Sequence, residues 1–162
     1  MNQRRRRGDA SSAACRLKPP SGGFALYGKQ GLPLYHHPKH GDVLLCDFTR
    51  GFVAPEMLKV RKVVVISPTS THDRQLCTVV PISSTAPHVE KDWHHLLRTN
   101  PVPADGYTQL WVKCDMIYTV SFERLSKLHR KTRRSAREYF VPRLSEEDMQ
   151  CVINCVKAYL PL

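Results

Sequence analysis

From residue 41 onward the chain is a succession of short apolar runs rich in β-branched and aromatic residues, and that rhythm constrains the fold more than any other feature. The runs are GDVLLCDF (41–48), KVVVIS (62–67), LCTVVPIS (76–83), DWHHLL (92–97), QLWVKC (109–114) and MIYTVSF (116–122), separated by Pro, Gly, Asp and Ser. They read as consecutive strands. No stretch between them has helical periodicity over about 10 to 15 residues, which speaks against a βαβ arrangement and for a small barrel. The convincing helix comes at the end. Ser145 precedes Glu146, Glu147 and Asp148 in an S-x-x-D start, where a hydroxyl caps free amides and acids suit the helix dipole. Met149, Val152, Ile153 and Val156 follow at helical spacing and predict one apolar face packed on the sheet. A shorter helical turn is predicted over 122–128.

The 162 residues allow one compact domain with a tail to spare. Charge says more about partners than about fold: 25 Lys and Arg against 14 Asp and Glu give +11 and a pI near 9.7, which favours polyanions. The first 40 residues hold eight basic side chains against Asp9, and 127–137 hold six bases and no acid, so the remainder is slightly acidic. Residues 1–40, dominated by Arg, Ser, Gly and Pro, read as a disordered basic N-terminal extension, with docking of Phe24, Leu26 and Tyr27 as a secondary option. Residues 41–162 form the domain. Neither a signal-peptide run of about 7 to 15 apolar residues nor a span of about 18 is visible, so a cytoplasmic chain without a membrane segment is expected. Six scattered cysteines without a C-x-x-C pair predict reduced thiols, and Cys151 with Cys155 is a poor zinc site. His94 and His95, as strand neighbours, point to opposite faces, and His36, His37 and His40 lack a carboxylate partner; no metal and no cofactor are expected.

Three elements carry possible chemistry. Glu56 and Arg61 lie five residues apart ahead of the KVVVIS run; Arg61 either projects a guanidinium from a barrel rim toward a phosphate or forms a solvated ion pair. Ser83 and Ser84 follow the VVPI run, where hydroxyls serve a site or satisfy turn backbone. Lys113 and Asp115 stand two apart in VKCD and present a base and an acid on one face, or an exposed charge pair.

In order, these elements resemble the MazF/PemK family of toxins from type II toxin–antitoxin pairs: G-D-V-x-x-x-D-F at 41–48, Glu56 then Arg61, KVVVIS, VVPISS at 79–84 and VKCD at 112–115. The resemblance covers about residues 41–160. It implies a mainly β, SH3-like barrel with a C-terminal helix, a homodimer, and a metal-independent endoribonuclease cutting single-stranded RNA. It further implies inhibition by a cognate antitoxin, together with which such toxins bind DNA. Arg61 matches the family's catalytic arginine, Ser83 its threonine, Glu56 the loop acid, and Lys113 and Asp115 the basic and acidic residues of V-R-C-D. The chain departs from the pattern at Lys62 in place of Pro, Ser83 in place of Thr, Lys113 in place of Arg and Pro55 in place of His, departures that lower the expected activity.

On this reading Arg61 holds the strained phosphate, Ser83 donates a hydrogen bond to it, Asp115 or Glu56 takes the 2′-OH proton, and Lys113 is an acid or second phosphate contact. Contacts to RNA are expected from Phe52, Lys59, Lys62 and Ser84, and from Arg130, Lys131, Arg133 and Arg134 in a basic loop over 127–137. Trp93, Trp111 and Phe52 are either stacking platforms or core. Two other readings compete: a non-catalytic nucleic-acid-binding barrel, and a gyrase-poisoning toxin of the same fold.

Overall fold

A computed structural model describes residues 37–131 and 137–161, so most of the basic extension, with Arg133 and Arg134, lies outside the described residues. The six expected runs are strands: β1 (Val43–Asp47), β2 (Val60–Val65), β3 (Leu76–Ser83), β4 (His94–Leu96), β5 (Trp111–Lys113) and β6 (Tyr118–Ser121). Three further strands follow, β7 (Leu125–Ser126), β8 (Leu128–Lys131) and β9 (Arg137–Phe140), before helix α1 (Glu146–Tyr159). Residues 37–40 contact the domain: the His37 ring meets Phe122 edge-on, and His40 Nδ1 lies 3.0 Å from the Ile66 carbonyl oxygen.

Seven strands form one antiparallel sheet, ordered β4-β5-β3-β2-β1-β7, with β6 also paired to β3. The eight-residue β3 changes partner along its length: Leu76 to Val79 pair with β6, whereas Ile82 and Ser83 pair with β5. The strip β6-β3-β2-β1-β7 curls back on itself, because its two edge strands are consecutive in the chain and joined by a single 3₁₀ turn, Phe122–Arg124. That turn stands where a longer helical turn was expected over 122–128. Its Ser121 hydroxyl accepts from the Glu123 N–H, and the chain resumes an extended path at Leu125.

Both faces of the central strands are buried, which is why they read as unbroken Val runs and not as alternating patterns. Leu44, Cys46, Val63, Val65, Cys77, Val79 and Val120 fill the barrel with Phe48, Phe122 and Leu125. Val43, Val64, Val80, Ile82 and Val112 face the other way and pack under Met149 and Val152 of α1. The helix starts as its sequence predicts, with the Ser145 hydroxyl accepting from the Asp148 N–H at 3.1 Å. Gly41 at φ +86° turns the chain so that its carbonyl accepts from Leu144, tying the helix entry to the start of β1.

The basic run 127–137, expected to be a loop, begins in β8 and ends on the first residue of its antiparallel partner β9, with 132–136 outside the described residues. Leu128 pairs with Phe140 and Arg130 with Glu138, while Leu128 is buried in the helix-side core. The charges masked a strand pattern whose apolar partners lie a dozen residues apart, and a cross-strand ion pair offsets the local repulsion.

Candidate active site

Alternation along four strands sorts their side chains onto two faces. On β2, Arg61 has the parity of Val63 and Val65; on β3, Ser83 has that of Cys77 and Val79. Val112 of β5 lies on the helix side, so Trp111 and Lys113 take the opposite face. His95 of β4 reaches Asp148 of α1, which places His94 and Leu96 opposite as well. Continuing the β2–β3 register one step past the Lys62–Ile82 pair sets Arg61 across from Ser83. Ser83 in turn is paired with Trp111, and Lys113 with His94. Where β6 and β7 lie over this face it is barrel interior. Where β3 exchanges β6 for β5 the same face emerges at the barrel mouth, lined by Arg61, Ser83, Lys113 and His94.

Arg61 is exposed and Ser83 half-buried. The Ser83 hydroxyl donates to the Thr85 carbonyl at 3.2 Å and accepts from the Thr85 N–H at 3.1 Å, so in this state it closes its own turn. Asp115 sits in the turn after β5, its Oδ1 3.8 Å from His94 Nε2. Among the described residues, three buried side-chain polar atoms lack a partner: His72 Nδ1, Trp111 Nε1 and Asp115 Oδ1. Two of them, Trp111 Nε1 and Asp115 Oδ1, belong to this face.

The loop between β1 and β2 lies at the same mouth, because it joins Asp47 to Val60. Phe52 is no open stacking platform: its ring meets Phe48 and Tyr118 edge-on, and the Arg124 guanidinium lies 5.1 Å from its centroid. Arg124 also donates to the carbonyls of Asp47 and Arg50, and so pins the loop onto the barrel. Glu56 is exposed, but its Oε2 accepts from the Val53 N–H at 2.7 Å, which bends the carboxylate back on its own turn. Lys59 and Ser84 are exposed at the loop edges.

Two expected RNA contacts are placed differently, and the side chain of a third, Lys131, lies outside the described residues. Lys62, one residue from Arg61, points to the helix side; it is ion-paired with Asp105 and lies 5.3 Å from the Tyr107 ring centroid. Burial lowers its pKa from the ordinary lysine value. Arg130 is held by Glu138 at 2.8 Å and stacks over Phe140 in the hairpin. Lys131 ends β8. Trp93 packs against the helix-side core and Tyr159, and Trp111 is 8% exposed, so both indoles serve packing. Burial pushes the Cys46 and Cys77 thiols up to about 12, so neither is a nucleophile near neutral pH.

Residues 39–160 match the family model described as PemK-like, MazF-like toxin of type II toxin-antitoxin system. The chain belongs to that toxin family. Among solved structures it is similar to MazF from Deinococcus radiodurans, at 15% identity and a TM-score of 0.57, covering 78% of this chain and 99% of that one. It is also similar to an endoribonuclease from a mycobacterial species, at 14% identity and a TM-score of 0.54, covering 78% and 94%. A mycobacterial endoribonuclease solved with its cognate antitoxin gives 15% identity and a TM-score of 0.54, covering 77% and 96%. No curated protein matches the chain in sequence. These likenesses bear on the PemK-like fold; the site rests on the chain's own residues. Sequence reasoning overlooked Arg124, which anchors the loop, and weighed His94 as a metal ligand alone. The parity of His94 with Lys113 across β4 and β5 was a signal that required the register.

Proposed function

We propose that this PemK-like chain is the toxin of a type II toxin–antitoxin pair, an endoribonuclease that cuts single-stranded RNA without a metal and thereby blocks translation. The observation that carries the reading is the convergence of Arg61, Ser83 and Lys113 on one face at the barrel mouth, with Asp115 at its margin, in a chain of this family. Similar solved structures that are endoribonucleases, one with its antitoxin, support it.

RNA brings its own nucleophile, so the protein has to orient the 2′-OH in line with the neighbouring phosphate, stabilise added negative charge and move two protons. The 2′ oxygen forms the new bond to phosphorus as its proton passes to the Asp115 carboxylate. The bond to the 5′ oxygen breaks, and that oxygen takes a proton from Lys113 or water. Arg61 offers a planar pair of N–H donors to the phosphate, and Ser83 turns its hydroxyl from Thr85 to the same group. Products are a 2′,3′-cyclic phosphate and a 5′-OH. Glu56, folded onto its own turn, shapes the loop that meets the bases. A homodimer and an antitoxin with an acidic, extended segment are the expected protein partners, in the cytoplasm where the RNA is.

Long RNA incubated with the purified chain in EDTA, followed by end mapping, tests the reading. Discrete cuts carrying cyclic-phosphate ends, lost in Arg61→Ala, are expected. RNA retained without cutting indicates a binding barrel, and intact RNA with an inhibited topoisomerase indicates a gyrase poison; either overturns the proposal.

A further inference from the structure

The β4 strand contributes a side chain to the same mouth that neither the loop nor the VKCD run supplies. His94 is fixed from two directions: its backbone N–H donates to the Lys91 carbonyl at 2.9 Å, and its ring Nδ1 accepts from the Lys91 backbone N–H at 3.2 Å. With Nδ1 committed as an acceptor, the neutral ring carries its proton on Nε2. That nitrogen lies 3.8 Å from Asp115 Oδ1, an oxygen that is buried and has no hydrogen-bond partner among the described residues. The His94 side chain is only 8% exposed, whereas that of Asp115 is 34% exposed. Since Oδ1 is buried, Oδ2 is the oxygen a substrate meets.

We infer that His94 is a positioning residue for the reaction proposed above, and the inference rests on that reading. Its Nε2–H closes onto Asp115 Oδ1 when RNA binds, fixing the carboxylate so that Oδ2 accepts the 2′-OH proton. His94 exchanges no proton with the substrate. The gap of 3.8 Å exceeds a hydrogen bond, as active-site contacts often do before substrate arrives. Closing it needs about an ångström of movement in the turn after β5. It also satisfies the orphaned oxygen, so the stabilisation appears in the bound state, where it serves the reaction.

Single-turnover and steady-state cleavage of an RNA oligonucleotide containing a mapped cut, in EDTA, tests the role with the full chain. His94→Ala is expected to lower kcat about 10- to 100-fold with KM within about twofold, the size typical of an outer partner of a reacting group. His94→Gln, which keeps an N–H at the position of Nε2, is expected to recover much of the loss. It also replaces the alanine variant should that fail to fold by circular dichroism. In an Asp115→Asn background, His94→Ala is expected to cost nothing further, because it acts through that carboxylate. His94→Ala cutting at the wild-type rate, no recovery in a folded His94→Gln, or an undiminished loss in the Asp115→Asn background would each overturn the inference while leaving the nuclease reading standing. Failure of the wild-type chain to cut any RNA removes the nuclease reading itself.

Discussion

Arg61 and Lys62 are adjacent, and strand alternation gives them opposite fates. Arg61 lies exposed at the barrel mouth, while Lys62 is committed to Asp105 and Tyr107 on the helix side. Arg61→Ala is therefore expected to lower the cleavage rate by roughly 100-fold or more, the scale of losing a charged stabiliser of the reacting group. Its melting temperature should hardly move, since an exposed side chain contributes within about 0.5 kcal/mol. Lys62→Ala should behave in reverse, losing about 1 to 2 kcal/mol by leaving Asp105 half-buried and unpaired, with cut sites and rate retained. Chemical denaturation and RNA cleavage on the same two proteins check the pair. The sequence reading set both residues at the RNA, Arg61 as catalytic and Lys62 as a contact; parity separates them, and parity was readable once Val63 and Val65 were taken as barrel interior.

At the scale of elements, α1 is held by a carboxylate that its own cap presents. Asp148 is 1% exposed and accepts from His95 Nε2 at 2.8 Å, the Arg98 N–H at 3.2 Å and the Ser145 hydroxyl at 3.2 Å. Burial by itself raises its pKa, but the hydrogen bonds from His95, Arg98 and Ser145 and the charge of His95 outweigh it, and the folded value lies below the ordinary one. A depressed carboxyl stabilises the fold above its ordinary value of 3.8 and loses that contribution as pH falls through the depressed one. Thermal melts should show an acid limb below that pH, and Asp148→Asn should flatten it while costing about 3 kcal/mol at neutral pH. The S-x-x-D start was legible from spacing; the bond to β4 was not, because His95 lies 53 residues away in the chain. The hairpin β8–β9 gives the opposite lesson. Its Arg130–Glu138 pair is exposed on both sides, so Arg130→Ala should leave the midpoint of a urea titration essentially where it is.

For the whole molecule, the +11 that points to polyanions resides mostly outside the barrel mouth. Seven of the eight bases in the first 40 residues precede His37, and the second basic cluster begins on a hairpin whose Arg130 is already paired. Deleting residues 1–36 should preserve cut positions, reduce RNA affinity and shallow the dependence of log K on log salt, the slope changing by about 0.7 for each phosphate of a single strand that the extension had neutralised. Filter binding at several salt concentrations, alongside end mapping, measures both. The succession of the first six strands, the helix start and the family resemblance were all present in the sequence, because they depend on local periodicity and on short motifs kept in order. The site was decided by tertiary structure. Which face each charge occupies depends on β3 exchanging β6 for β5 midway, and on registers that join residues 15 to 45 positions apart. Together with the β2–β3 register, those pairings put Arg61, Ser83, Lys113 and His94 on one face and Lys62 on the other.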